Sequence, residues 1–130
     1  MEYMLMPLRR YADFSGRSRR MEYWMFTLFI ILFELVMIGW ILAAVIAADG
    51  EMTAAVALPF ILLLLLGLAL FIPSLAVTVR RLHDQDKSGW YYFIAFVPVA
   101  GAIVLLVFMC TEGTVGPNRY GPDPKAGELV

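Results

Sequence analysis

The stretch Arg80-Arg81-Leu82-His83-Asp84-Gln85-Asp86-Lys87 gathers the only histidine of the chain with two acids and three cations. A carboxylate beside an imidazole can fix its tautomer for acid–base work. Two facts weigh against that use of His83 and Asp84. Adjacent residues on a helix point apart, and no serine or cysteine with a nucleophile's surroundings accompanies them. His83, Asp84 and Asp86 are also metal-ligand types, yet one histidine near two acids is ordinary loop composition, so no metal is expected. Glycine-rich phosphate loops, paired cysteines and nucleotide fingerprints do not occur. The expectation is a protein that is not an enzyme and needs no cofactor.

A stronger pattern is electrostatic. Arg17, Arg19 and Arg20 stand just before Glu22, and Arg80 and Arg81 just before His83, Asp84 and Asp86. If both clusters meet at one face, they form a salt-bridged cap that clamps the N-terminal arm to the polar loop. The alternative use of the same arginines is to hold a lipid headgroup or another anion.

One further residue invites chemistry. Glu34 interrupts an otherwise apolar run, about ten residues past Trp24 and so roughly 15 Å deep, near the midplane of a hydrocarbon core of about 30 Å. An ionised carboxylate there costs about 3 kcal/mol or more, so Glu34 should face protein. Pro73 removes the amide that would bond the carbonyl of Ala69, and a neutral Glu34 could donate to that oxygen. Pairing across an oligomer interface, or with a water, is the competing expectation.

The elements that must position these residues follow from composition. Hydrophobic residues make up 62% of the 130 residues and charged residues 16%, against averages of about half and about a quarter in soluble domains. The single cysteine, Cys110, rules out an intramolecular disulfide. The expected fold is an all-α, polytopic membrane bundle forming one domain over 1–130. Residues 1–23 form an interfacial amphipathic arm that includes Pro7, and Ser18 offers an N-cap for the next helix. The first span covers 24–48, and its length exceeds that of a signal-peptide core. Gly39, Ala43 and Ala47 recur four apart as a small-residue stripe. The short Asp49-Gly50-Glu51 turn sends a second span, 53–79, back antiparallel. Residues 80–89 form a polar hinge, and 90–110 a third apolar span. Pro98-Val99-Ala100-Gly101 breaks that segment at its centre, so it either crosses with a kink or re-enters as a hairpin. The tail, 111–130, is rich in glycine and proline and not helical.

Arg9, Arg10, Arg17, Arg19 and Arg20 precede the first span, and Arg80, Arg81 and Lys87 lie in the hinge. The positive-inside rule puts both groups in the cytoplasm. A crossing third segment would leave the tail outside, and a re-entrant one would bring it back.

Three blocks resemble a known family. They are Phe14-Ser15-Gly16-Arg17-x-x-Arg20-x-Glu22-Tyr23-Trp24, then Arg80-Arg81-Leu82-His83-Asp84 with Ser88-Gly89-Trp90, then Gly113-Thr114-x-Gly116-x-Asn118-Arg119-Tyr120-Gly121-Pro122-Asp123-Pro124. Their order and spacing resemble the bacterial family called domain of unknown function 805, over nearly the whole chain. The resemblance implies a small multi-span protein of the bacterial inner membrane and brings no reaction or ligand with it. Expected partners are membrane lipids, a second copy, or another membrane protein. Nucleic acid is not among them.

Overall fold

The computed structural model describes residues 2–125. Met1 and the end of the expected tail, 126–130, lie outside the described residues. The described residues form four α-helices and one 3-10 helix and include no strand. α1 spans Glu2–Arg9, α2 Arg20–Ala47, α3 Ala54–Asp84 and α4 Ala100–Cys110, with the 3-10 helix at Gly89–Phe96 between α3 and α4.

Among the described residues, α2 and α3 are the two helices long and apolar enough to cross a membrane. α2 ends in a Schellman motif. The amide of Gly50 bonds the Val45 carbonyl at 3.0 Å and that of Asp49 the Ile46 carbonyl at 3.2 Å, with Asp49 at φ 50°. The turn is therefore tight, and α3 packs back along α2. Phe26, Met37 and Ile41 are buried on α2, and Val56, Pro59, Pro73, Ala76 and Val77 on α3. The small-residue stripe of Gly39, Ala43 and Ala47 faces outward.

The hinge is shorter than its composition suggests. α3 continues through Arg80–Asp84, so the cationic stretch is the end of a helix and not a loop. A second Schellman motif closes it, with Lys87 N–H on the Leu82 carbonyl, Asp86 N–H on the His83 carbonyl, and Asp86 at φ 57°. Only residues 85–88 separate α3 from the 3-10 helix, and Ser88 Oγ accepts from the Trp90 amide to start it. Ser18 does not cap α2: Arg19 holds the N-cap position, without a side-chain cap.

Residues 90–110 do not form a third long helix. The 3-10 helix and α4 are each roughly 16 Å long, about half a hydrocarbon core, and they fold against one another as a hairpin. The Tyr91 ring, near the start, meets the Phe108 ring near the end at 6.2 Å. Gly101 makes the fold-back possible, since a β-carbon there would lie 1.8 Å from the Ile94 carbonyl oxygen. Both ends of the segment return to the same place. Gln85 donates to the Phe108 carbonyl, and Trp24 Nε1 to the Met109 carbonyl at 3.1 Å. The two halves of this segment thus lie against one another rather than in line.

α1 packs on both long helices, with Pro7 buried within it. Just beyond it, the Tyr11 hydroxyl donates to the Ala69 carbonyl, the oxygen released by Pro73. Tyr11→Phe removes that donor and strands a carbonyl, at an expected cost of about 1–2 kcal/mol. Chemical denaturation in micelles measures it, and an unchanged midpoint would mean that the Ala69 oxygen has another partner.

Candidate functional site

The cationic end of α3 meets the segment before α2, the start of α2 and the tail. Arg80 and Arg81 are fully buried, and Arg17, Ser18, Glu22, His83 and Asp84 nearly so. Burying several charges requires that each find opposite charge and hydrogen bonds. They do so in two clusters.

In the first, Arg80 Nη2 donates to Glu22 Oε1 at 3.1 Å and Arg80 Nε to Ser18 Oγ at 2.8 Å. Its remaining nitrogen, Nη1, donates to the carbonyls of Arg10 and Asp13. The Ser18 amide answers by donating to the Arg80 carbonyl at 3.0 Å. Ser18 has thus exchanged the expected capping role for a place in the cap.

In the second, Asp84 stands between two guanidinium groups. Arg17 Nε donates to its Oδ1 at 3.0 Å, and Arg81 Nη1 to its Oδ2 at 2.8 Å. Arg17 also donates to the carbonyls of Thr114, Gly116 and Gly121, and Arg81 to that of Thr111. The tail therefore wraps around Arg17. Gly113 allows it to come this close, because a β-carbon there would lie 2.0 Å from Asp84 Oδ2. Among these three arginines, only Arg81 Nε is buried without a hydrogen-bond partner among the described residues.

His83 and Asp84 do not act as a pair. The histidine ring lies parallel to the Tyr120 ring at 3.9 Å, and its Nδ1 is 2.9 Å from the Gly16 carbonyl. Since a carbonyl only accepts, Nδ1 carries the proton in this arrangement. Asp86, expected in the cap, is exposed and paired with Arg119 at 3.3 Å. The described residues contain no group of three or more potential metal-ligating side chains.

The remaining arginines diverge from the cluster. Arg19 donates to the Tyr3 hydroxyl at 3.0 Å with its guanidinium over that ring, which ties α1 to α2. Arg20 stays half exposed, with Glu112 at 3.6 Å and the Cys110 carbonyl at 3.1 Å. Cys110 ends α4 and is exposed.

Two turns hold the cap's edges. Asp13 accepts from the Ser15 hydroxyl and amide, and these bonds bring its carboxyl down to about 2. Its contribution is complete above the usual aspartate range and is lost only as pH falls through about 2. Asp123 accepts from the amides of Lys125 and Gly116, which lower it likewise.

Glu34 lies apart, at the middle of α2. It lines a groove of about 340 Å³ between α2 and α3 with Phe33, Ile38, Leu66, Gly67, Phe71 and others. Its expected partner, the Ala69 carbonyl, is taken by Tyr11, and the carboxyl has no hydrogen bond or ion pair with any described residue. Tyr11 went unnoticed in the sequence because it lies 58 positions from Ala69. The cap roles of Ser18 and Gly113 went unnoticed for the same reason, although the glycine-marked tail block is itself a sign of close backbone approach.

Two long apolar helices, a folded-back hairpin and a buried cap of three arginines on two carboxylates and backbone carbonyls define a small α-helical membrane protein. The chain belongs to the family described as protein of unknown function (DUF805), whose model matches residues 11–122. It is 49% identical over 127 residues to inner membrane protein YhaI of Escherichia coli strain K12, covering 98% of each chain. With inner membrane protein YhaH of the same strain it shares 41% identity over 131 residues, covering 96% of this chain and 98% of that one. No solved structure matches it.

Proposed function

We propose that the protein is a non-enzymatic component of the inner membrane that acts by lateral helix packing, with itself or with another membrane protein. One observation carries this reading: the side chains best suited to chemistry are occupied internally, whereas the spans are bare. Arg17, Arg80 and Arg81 are committed to Glu22, Asp84 and backbone carbonyls, which leaves them little with which to grip a headgroup. In contrast, only 11% of the residues in the most apolar window of each long helix are buried within the chain. The cap then serves as a clamp that holds the arm, both spans and the tail in one arrangement.

Native mass spectrometry of protein released directly from membranes tests the reading. A defined protein complex is expected. A monomer that retains one anionic lipid, and loses it when Arg20 is changed to alanine, would support headgroup binding at the exposed arginines instead.

The cationic face lies in the cytoplasm on this reading, as the positive-inside rule requires. The tail joins it there, because the hairpin returns the chain to the cap. With Cys110 changed to serine, an impermeant thiol reagent on intact cells is expected to label a cysteine at Gly50 and to spare one at Lys125. Labelling at Lys125 would place the tail outside and refute the hairpin topology.

A further inference from the structure

We infer that the Glu34 groove is the contact surface for a second copy of this chain, with the two Glu34 carboxyl groups paired across the interface. This rests on the lateral-packing reading and gives it a definite surface. Glu34 sits fourteen residues after Arg20 and thirteen before Ala47, the middle of the span (34 − 20 = 14 and 47 − 34 = 13). No lysine, arginine or histidine occurs in α2 beyond Arg20, or in α3 before Arg80. Hydrocarbon offers the carboxyl nothing, and polar groups at this depth face protein partners. The oxygen nearest to hand in sequence reasoning, on Ala69, is already engaged by Tyr11. Among the described residues none bonds the carboxyl, although the Ser74 hydroxyl lines the same groove, and a second chain would supply the missing partner.

A second copy supplies it on two grounds. Two copies inserted with the same orientation place their Glu34 residues at the same depth, so a two-fold axis along the membrane normal brings like to like. A protonated carboxyl is both donor and acceptor, so two facing carboxyl groups satisfy one another in a closed pair, as no single fixed charge would. The groove admits the approach: no heavy atom lies within 4 Å of where a β-carbon on Gly67 would be, and Ile38 projects beside Glu34 along the same flank. Small residues at such points let membrane helices come together closely.

The test uses the full chain in its own membranes, with Cys110 changed to serine and one cysteine introduced at a time. Oxidative crosslinking is expected through Ile38→Cys, which lines the groove, and not through Ala43→Cys, about 180° around α2 from Glu34. Adding Glu34→Leu to Ile38→Cys should cut the crosslinked fraction on the order of tenfold, whereas Glu34→Gln, still donor and acceptor, should preserve it. Gly67→Leu, which fills the groove, should also abolish it. Glu34 has no hydrogen bond or ion pair with a described residue to lose, so the thermal midpoint of Glu34→Leu in dilute micelles should not fall. Crosslinking through Ala43→Cys alone would overturn the Glu34 surface while leaving self-association standing. A monomer by native mass spectrometry, with neither cysteine crosslinking, would overturn both. Undiminished crosslinking in Glu34→Leu would overturn the carboxyl pair specifically.

Discussion

Arg80→Ala is expected to destabilise the protein by about 3–5 kcal/mol, because it strands a buried carboxylate. Arg80 is fully buried and Glu22 nearly so. Among the described residues Arg80 alone pairs with Glu22, so truncation leaves a buried negative charge without that cation. The loss extends to the Ser18 hydroxyl and the carbonyls of Arg10 and Asp13, which together hold the arm against α3. Thermal unfolding of purified protein in micelles or nanodiscs measures the effect. Arg80→Met combined with Glu22→Leu should recover most of it, since apolar residues of similar volume often replace a buried pair at little cost. If the single variant melts with the parent, Glu22 is not confined as described. If the double variant is no better than the single, the backbone carbonyls and not the carboxylate dominate the loss.

Gly113→Ala should be nearly as damaging although it adds only a methyl group, with an expected loss of about 3 kcal/mol or more. The new carbon would fall 2.0 Å from Asp84 Oδ2 and 2.4 Å from its Cγ. Either the tail lifts away or Asp84 swings out. A lifted tail frees Arg17 from three carbonyls, and a displaced Asp84 releases Arg17 and Arg81 together. Limited proteolysis distinguishes the routes, since a lifted tail becomes cleavable near Arg119 and Lys125 while the rest resists. A variant with parental stability and an uncut tail would show that the backbone at 113 does not approach Asp84 so closely.

Much of the architecture is legible without coordinates. The runs that became α2 and α3 need only a count of consecutive apolar residues, because hydrophobic transfer is close to a sum over side chains. Membership of the cap is nearly as legible. Buried cations must find acids, and Arg17, Arg80, Arg81, Glu22 and Asp84 were the charges available beside the apolar runs. Arg20 and Asp86, next to the cluster in sequence, pair instead with Glu112 and Arg119, and Arg19 bonds Tyr3.

Only the tertiary structure decided the pairings. Arg80 reaches Glu22 across 58 positions and Arg17 reaches Gly121 across 104, and no local rule specifies which distant carbonyl a guanidinium meets. The segment at 90–110 is apolar enough for either fate. It folds back because the 3-10 helix and α4 are too short to cross and because Gly101 admits the Ile94 carbonyl. Glu34 was recognisable as a group in need of a partner, but Tyr11 arrived first at the Ala69 oxygen, from an arm whose docking depends on the assembled cap. Hydrophobicity adds up residue by residue and can be read along the chain. Hydrogen bonds are directional over about 3 Å, so their partners exist only once every helix is in place.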